Sequence, residues 1–126
     1  MLKVYVAGKY SADNVLDVLK NIGHGRKVCA DLFALGFSPF CPWHDADFII
    51  HNPFHIFNTQ SFRDYCLDWL KVSDVLYVIS GATTSTGVLA EINLANELNI
   101  PIINNIIDLK AYRRNYEMDR CKNSIS

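Results

Sequence analysis

The hydrophobic and polar positions of this chain follow two different periods, which predict alternating strands and helices. Four short apolar runs rich in β-branched and aromatic residues predict buried strands within residues 2–7, 36–42, 74–80 and 100–104. The third run is almost continuously apolar, which is typical of a central strand in a parallel sheet that helices cover on both faces.

Helical spacing predicts four helices, which separate and follow these strands. One runs from a cap at Ser11 or Asp13 to about residue 35, and the others span residues 60–72, 86–99 and 108–121. Residues 43–59 follow neither period, and a loop of that length in a compact domain is usually functional, so we expect it near a site. The order of the elements predicts a three-layer α/β domain with right-handed crossovers.

Composition limits the domain count and the class of partner. The chain has 126 residues, 50% of them hydrophobic, which fits one domain over residues 1–126. The formal net charge is -1, and no basic run exceeds the pair Arg113 and Arg114. The sequence therefore lacks the broad basic surface that duplex nucleic acid requires.

The cysteines and the apolar runs indicate the compartment. The 4 cysteines are widely spaced and form no C-x-x-C pair, which favours reduced thiols in a reducing compartment. No apolar run approaches the roughly 18 residues of a membrane span, and the N-terminal run is too short for a signal peptide. We therefore expect a cytoplasmic protein that does not bind a membrane.

Two turns follow strands of the predicted sheet. Ligands of open parallel sheets bind outside the carboxyl ends of the strands, so the turn with Gly8, Lys9 and Tyr10 is expected to share one crevice with the turn after the third strand. This later turn runs directly into a helix, whose free N–H groups, with the hydroxyls of Ser85 and Thr86, would favour a phosphate or carboxylate. Ordinary helix capping explains the same residues without a ligand.

Glu91 lies on the apolar side of the predicted helix over residues 86–99. At about 100° per residue it falls between Ala95 and Leu98, inside the arc expected to face the core. A carboxylate there is unfavourable unless it is paired or faces a polar cleft, so it favours a site; a buried glutamate bonded to an amide or a lysine is the alternative. Gly87 precedes it by about 6 Å of helix rise, so an anion at the helix start would bring a sugar carbon near a carboxylate nucleophile.

Such chemistry needs a second group that protonates or hydrogen-bonds the departing base. Asp64 and Asp68 lie one turn apart on the preceding helix, but they share a polar face with Lys71, and a solvated arrangement explains them as well. Asp45 and Asp47 in the long loop are equal alternatives for this acid.

Polar side chains in residues 41–55 raise the question of a metal site. Pro53 interrupts the helix that would place His51 and His55 on one face, and no further half-site completes four ligands, so we predict neither a metal nor a cofactor. His44 and Asp45 are instead expected to line a nucleobase or ribose pocket. Stacking, lid packing or ordinary core packing is expected of the aromatic residues Trp43, Phe48, Phe54 and Phe57.

Four segments of the chain together resemble a known family. They are VYVAGKYS, GFSPFCPWHD, RDYCLDWLKVSDVLYV and STGVLAEINLANELNIPII. In this order they are similar to the nucleoside 2-deoxyribosyltransferase-like superfamily, especially its small members of unassigned function in phages and bacteria. The resemblance extends to about residue 103 and implies a flavodoxin- or Rossmann-like doubly wound parallel sheet of four to five strands, in a homodimer or larger assembly.

The resemblance also implies roles for single residues. The family glutamate that attacks the anomeric carbon corresponds to Glu91, and the tyrosine that orients it corresponds to Tyr5. The residues that bind the 5′-phosphate in the nucleotide-hydrolysing branch correspond to Ser85 and Gly87, with Gly8 in the first turn.

The chain departs from the family pattern at one position. The base-contacting aspartate of the family aligns with Cys66, whose thiol cannot serve as the same acid. Asp64, Asp68 or a loop acid would have to replace it, or the protein would bind a nucleotide without cleaving it.

Three hypotheses follow. The first is a hydrolase or transferase that cleaves or transfers the N-glycosidic bond of a (deoxy)nucleoside or its 5′-monophosphate through a glutamate nucleophile. The second is a non-catalytic nucleotide-binding or sequestering protein that uses the same crevice. The third is an NAD glycohydrolase, which also needs a glutamate in a flavodoxin-like crevice. For the first two, the expected partner is a small nucleoside or nucleotide.

Overall fold

The strands form one parallel sheet in the order β2–β1–β3–β4. The structure is a computed structural model that describes residues 1–125, with side chains to residue 122. Its strands are β1 (Lys3–Ala7), β2 (Ser38–Phe40), β3 (Val75–Val78) and β4 (Ile102–Ile103). β1 pairs with both β2 and β3, so that Tyr5 lies opposite Phe40 on one side and Leu76 on the other. The predicted α/β fold with a parallel sheet is confirmed, with four strands.

Helices connect these strands and follow the last of them. They are α1 (Val15–Ala34), α2 (Ala46–His51), α3 (Thr59–Leu70), α4 (Thr86–Glu97) and α5 (Ile106–Ile125). All but α2 lie where helical spacing predicts a helix, with ends that differ by a few residues. Within the described residues, no helix is both long enough and apolar enough to cross a membrane.

Two local predictions are wrong. The cap of α1 is Asn14, and neither Ser11 nor Asp13, because the Asn14 Oδ1 accepts a hydrogen bond from the N–H of Asp17 at 2.9 Å. The segment expected to be a loop over residues 43–59 begins instead with a 3₁₀ turn, Pro42–Asp45, followed directly by α2. These pieces are too short to show a helical period in the sequence.

Helices cover both faces of the sheet, which confirms the three layers. Side chains alternate along a strand, so Val4 and Val6 of β1 pack on one face while Tyr5 and Ala7 pack on the other. The first face is covered by α1 and α5 through Cys29, Leu32 and Leu109. The second face is covered by α3 and α4 through Cys66, Leu70, Val88 and Ala95. Tyr5 therefore points towards α3 and α4.

The connections leave β1 and β3 in opposite directions. From β1 the chain passes through α1 to β2 on one side, and from β3 it passes through α4 to β4 on the other. Such a switch point leaves a crevice outside the carboxyl ends of the two strands, which is where open α/β sheets bind their ligands.

Trp43 fixes the segment that follows β2. Its side chain is 1% exposed, and its indole N–H donates to the carbonyl of Lys9 at 3.0 Å. The indole occupies space left by two glycines, since a Cβ at Gly25 would overlap the ring and one at Gly8 would lie 2.9 Å from Cζ2. Of the roles considered for Trp43, core packing is therefore correct. The packing holds the start of α2, and with it Asp45, over the crevice.

Candidate active site at the switch point

A cavity of about 920 Å³ lies at the carboxyl ends of β1 and β3. Its walls come from residues 8–13 after β1, the first turns of α1, the turn after β2 with the adjoining α2, the inner side of α3, and residues 84–88 with Glu91 in α4. Both predicted turns face this one cavity. The volume is in the range of small-molecule sites.

Glu91 reaches the cavity from the second turn of α4. Its Oε2 is buried and has no hydrogen-bond partner among the described residues. Burial raises the pKa of Glu91 to about 8, although the Tyr5 hydroxyl and the charge of Arg63 both act to lower it. The predicted inward orientation of this carboxyl group is therefore present, and neither a lysine nor a backbone amide satisfies Oε2.

The Tyr5 hydroxyl belongs to the same group of side chains. Tyr5 is fully buried and stacks on Phe40 with ring centroids 5.2 Å apart, which fixes the direction of its hydroxyl. That hydroxyl lies close enough to Glu91 and Cys66 to affect their pKa values, but no described group meets it in hydrogen-bond geometry. Burial, followed by the charge of Glu91, raises the pKa of Tyr5, so the phenol stays protonated.

Cys66 lies between two acids. Burial raises the pKa of this thiol to about 12, and the negative charges of Asp45 and Glu91 add to the effect. The thiol is therefore neutral at physiological pH, a weak donor that carries neither charge nor acid function.

Asp45 faces the cavity from the end of the 3₁₀ turn. It is 8% exposed. The Tyr10 hydroxyl donates a hydrogen bond to its Oδ1 at 2.9 Å. Burial raises the pKa of Asp45, while the hydrogen bond from Tyr10 acts to lower it. Asp47, its equal alternative in the sequence, is exposed and lies 3.8 Å from Arg26.

The N-terminus of α4 is open towards the cavity. Ser85 takes the cap position, but its hydroxyl makes no capping hydrogen bond, and the first helical bond runs from the N–H of Leu89 to its carbonyl. The N–H groups of Thr86, Gly87 and Val88 precede that bond and line the cavity. A Cβ at Gly87 would lie 3.9 Å from Ser85 Oγ as its nearest neighbour outside the local backbone. A capping hydrogen bond thus does not account for a serine at position 85, and close packing does not account for a glycine at position 87.

Basic side chains also border this cavity. Lys9 and Lys20 line it and are exposed, and Arg63 lines it from α3 at a half-buried position. Arg63 is not among the site residues that the sequence predicted. The spacing to Cys66 and Leu67 was the available signal, because residues three and four apart share one side of a helix.

Some predicted site residues lie elsewhere. Asp64 and Asp68 are exposed on the outer side of α3, where Gln60 donates to Asp64 at 2.7 Å and Lys71 lies 3.5 Å from Asp68. His44 is exposed and lines a separate groove. The cavity does not bring these three side chains to Glu91.

Two further features of the site are the packing around Gly8 and the arrangement of possible metal ligands. Gly8 lines the cavity, but packing already requires glycine there, because a Cβ would also lie 2.9 Å from Ile79 Cδ1. Within the described part of the chain, no three His, Cys, Asp or Glu side chains converge in a way that could hold a metal ion.

Comparison with known proteins identifies the fold. No protein-family model and no curated protein matches this chain. Among solved structures, the chain is similar to the 2-deoxyribosyltransferase of the psychrotolerant bacterium Bacillus psychrosaccharolyticus, with 22% identity and a TM-score of 0.53. The match covers 86% of this chain and 78% of that chain. The chain therefore has a fold like that of a 2-deoxyribosyltransferase.

Proposed function

We propose that this protein cleaves or transfers the N-glycosidic bond of a nucleoside or its 5′-monophosphate, with Glu91 as the nucleophile. The observation that carries the proposal is the buried Glu91 carboxyl group, left without a partner for Oε2 beside an equally unpartnered Tyr5 hydroxyl. Two such orphaned groups lower stability, and Glu91 lies on the cavity wall, where a ligand can satisfy it. The fold shared with a 2-deoxyribosyltransferase supports the same chemistry.

In the first step, the Glu91 carboxylate attacks the anomeric carbon of the sugar. A bond forms between this carbon and a carboxylate oxygen, the bond to the base nitrogen breaks, and the electron pair leaves with the base. Water then releases the free sugar, or a second base accepts it. In the ligand-bound protein, we expect the Tyr5 hydroxyl to donate to the carboxylate and orient it for attack.

Asp45 is the group that we assign to the base side of the cavity. It is an acid that lines the same cavity as Glu91, and burial raises its pKa, which favours a protonated form able to donate to the departing base. Tyr10 holds the carboxyl group in place through its hydrogen bond. Neither Asp64 nor Asp68 has a role in this proposal.

The N-terminus of α4 is the proposed phosphate site. The unused Ser85 hydroxyl, the free N–H groups of the first turn and the open space at Gly87 suit an anion of that size. Lys9 and Lys20 add positive charge along the cavity wall. The proposal therefore favours nucleoside 5′-monophosphates over nucleosides.

The test is release of free base from a panel of deoxynucleosides and their 5′-monophosphates, measured by chromatography. We expect the wild type to release base, and Glu91→Gln to lose at least about 10³-fold of that rate with the fold retained. Glu97→Gln is the matched control, because Glu97 is an exposed glutamate at the end of the same helix. If the wild type releases no base from the whole panel, the enzymatic proposal is wrong.

A non-catalytic nucleotide-binding protein is the second candidate. It is favoured by the neutral thiol of Cys66 between the two acids and by the pKa of Glu91, which leaves most of this carboxyl protonated at neutral pH. Calorimetry with a deoxynucleoside monophosphate, followed by chromatography of the ligand, separates the candidates. Intact ligand recovered after tight binding supports this second function, and cleaved ligand excludes it.

We extend the proposal to a homodimer or larger homo-oligomer. The segment beside the cavity exposes large apolar side chains, with Ile50 at 67%, Phe54 at 97% and Ile56 at 90%. An apolar surface of this kind is typical of an interaction site. Sedimentation velocity at micromolar concentration should show a dimer that Phe54→Ser weakens, and a wild-type monomer would contradict the extension.

A further inference from the structure

Cys29 and Cys41 form a pair of thiols outside the candidate active site. Cys29 lies in the last part of α1, and Cys41 directly follows β2. Both are reduced and buried, at 5% and 8% exposed, and they belong to one core cluster. The two thiols lie close enough to affect each other's pKa values. Both sulfur-bearing residues also line a second groove of about 430 Å³, together with Arg26 and His44.

The surroundings of the two sulfurs differ in a way that gives each a separate role. The neighbouring Cys29 thiol is the largest effect that lowers the pKa of Cys41, and the backbone N–H groups of Trp43 and His44 and the charge of Arg26 act in the same direction against burial. The Cys41 sulfur, followed by burial, raises the pKa of Cys29. Cys41 is thus the thiol that ionises first, with a protonated thiol next to it.

We propose that Cys29 and Cys41 are a redox pair, in which a small hydroperoxide entering the second groove oxidises Cys41 and Cys29 closes a reversible disulfide. The Cys41 thiolate attacks one peroxide oxygen, the O–O bond breaks, and the departing alkoxide or hydroxide takes up the proton that Cys41 has lost. The Cys29 sulfur then attacks the sulfenic sulfur of Cys41, and the hydroxyl group leaves as water with the proton of Cys29. Two thiols and one hydroperoxide give one disulfide, one alcohol or water from the hydroperoxide, and one water.

The disulfide would join two elements that position the candidate active site. Cys41 immediately precedes the turn Pro42–Asp45, which carries Trp43 and the cavity-facing Asp45. A covalent link from this turn to α1 would hold Trp43 against Gly25, the glycine of α1 that accommodates its ring. The redox state of the pair thereby acts on the placement of Asp45. The pair itself does not depend on which ligand the cavity binds.

The test uses the full chain, hydrogen peroxide as the oxidant, and intact-mass and peptide mass spectrometry. We expect the wild type to lose two hydrogen masses, to yield a peptide pair joined through Cys29 and Cys41, and to regain both hydrogens with dithiothreitol. Cys66 is the internal control, because it is also buried but its raised pKa should make it react at least about tenfold more slowly. Equal oxidation of Cys66 and Cys41, or oxygen addition at Cys41 without the disulfide, would overturn the proposal.

Single variants separate the two roles. In Cys29→Ser, the sulfenic acid on Cys41 has no resolving thiol, so dimedone should label Cys41 under the same treatment. In Cys41→Ser, Cys29 should stay reduced. Circular dichroism checks that each variant is folded, and the wild-type peptide map decides the proposal if one of them is not. A Cys29→Ser protein that is folded but unlabelled contradicts the assignment of Cys41 as the reacting thiol.

Discussion

Two tyrosine–carboxyl pairs lie at the cavity, where Tyr10, Asp45 and Glu91 line the wall while Tyr5 is fully buried, and the pairs differ in how well they are satisfied. Tyr10 and Asp45 are joined by a hydrogen bond of 2.9 Å. Tyr5 and Glu91 lie close enough to affect each other's pKa, yet neither the Tyr5 hydroxyl nor the Oε2 of Glu91 has a partner in hydrogen-bond geometry. The first pair is complete without a ligand, and the second is not.

This difference indicates where the protein keeps unsatisfied polar groups for a ligand. A buried polar group without a partner lowers stability by about 1–3 kcal/mol. The Tyr5 and Glu91 pair therefore destabilises the folded protein, and a role in function accounts for this loss. The Tyr10 and Asp45 pair holds a loop acid in place at little such loss. Under the proposed function, Glu91 of the unsatisfied pair meets the sugar and Asp45 of the satisfied pair meets the base.

Among the residues of the two pairs, substitution of Asp45 is expected to reduce activity most after substitution of Glu91. Asp45→Asn removes the proposed acid while Tyr10 can still donate to the amide oxygen, so base release should fall by about 10²-fold or more. The measurement is the rate of base release under saturating substrate. Asp47→Asn is the control, since Asp47 is exposed two positions along the same segment. Equal rates for Asp45→Asn and the wild type would remove Asp45 from the mechanism.

The inward position of Glu91 could be predicted because it depends only on local geometry. The helical period and the buried residues Val88 and Ala95 define the inner face of α4, and the carboxyl group of Glu91 reaches the cavity beside them. Leu98, which the same period places in this arc, follows the end of α4 and is 45% exposed. The strand order could not be derived from these periods alone, but the resemblance implied a doubly wound sheet, and the observed order agrees with it. Local pattern thus predicted the elements and one half of the site.

The other half of the site depends on tertiary contacts that no local pattern reveals. Asp45 and Asp47 were equal alternatives in the sequence, and the decision between them rests on Trp43, whose ring lies in the space left by Gly8 and Gly25. These glycines are distant in sequence from the turn that they fix. The exposure of Asp64 and Asp68 follows from the side of α3 that faces solvent, which their polar spacing with Lys71 had already indicated as an alternative.

The pH dependence of the rate is the next largest effect. The nucleophile must be deprotonated, and the pKa of Glu91 is raised to about 8. In Asp45→Asn, which removes the second titrating group of the mechanism, kcat/KM should therefore increase about tenfold per pH unit below 8 and level off above it. Measurements of base release by this variant between pH 5 and 9.5 in constant ionic strength check this. A rate of Asp45→Asn that is independent of pH across 6 to 8 would contradict an unpaired, buried Glu91 in the free protein.

The deprotonation of Glu91 should also affect the stability of the protein, but where it raises the rate it should lower the unfolding free energy. The folded pKa of about 8 exceeds the ordinary value of 4.5, so the folded state holds a proton that the unfolded state releases between these values. The unfolding free energy of the wild type therefore falls as pH rises through this window. Glu91→Gln does not titrate, and at pH 9 it should be more stable than the wild type by about 1–3 kcal/mol, which is less than the full shift implies because water reaches the cavity.

Denaturant unfolding of both proteins at pH 4 and pH 9 checks this prediction. Near pH 4 both states carry the proton, so the two proteins should differ little there. Glu97→Gln again serves as the control. The change in its unfolding free energy between pH 4 and pH 9 should equal that of the wild type. A Glu91→Gln protein that is less stable than the wild type at pH 9 would show that the carboxylate is satisfied in the folded state.

The smallest expected effects are those of removing the hydroxyl group from the tyrosine of each pair. These two substitutions compare the pairs most directly. Tyr10→Phe leaves the buried Asp45 without its donor and should lower the unfolding free energy by about 1–2 kcal/mol. Tyr5→Phe removes a hydroxyl that has no partner in the ligand-free protein, so it should leave stability unchanged or raise it by up to about 1 kcal/mol. Denaturant unfolding at pH 7 measures both. Tyr77→Phe, in the neighbouring strand on the other face of the sheet, controls for removal of a tyrosine hydroxyl away from the cavity. If Tyr5→Phe lowers stability as much as Tyr10→Phe, both hydroxyls are equally satisfied without a ligand, and the distinction between the two pairs fails.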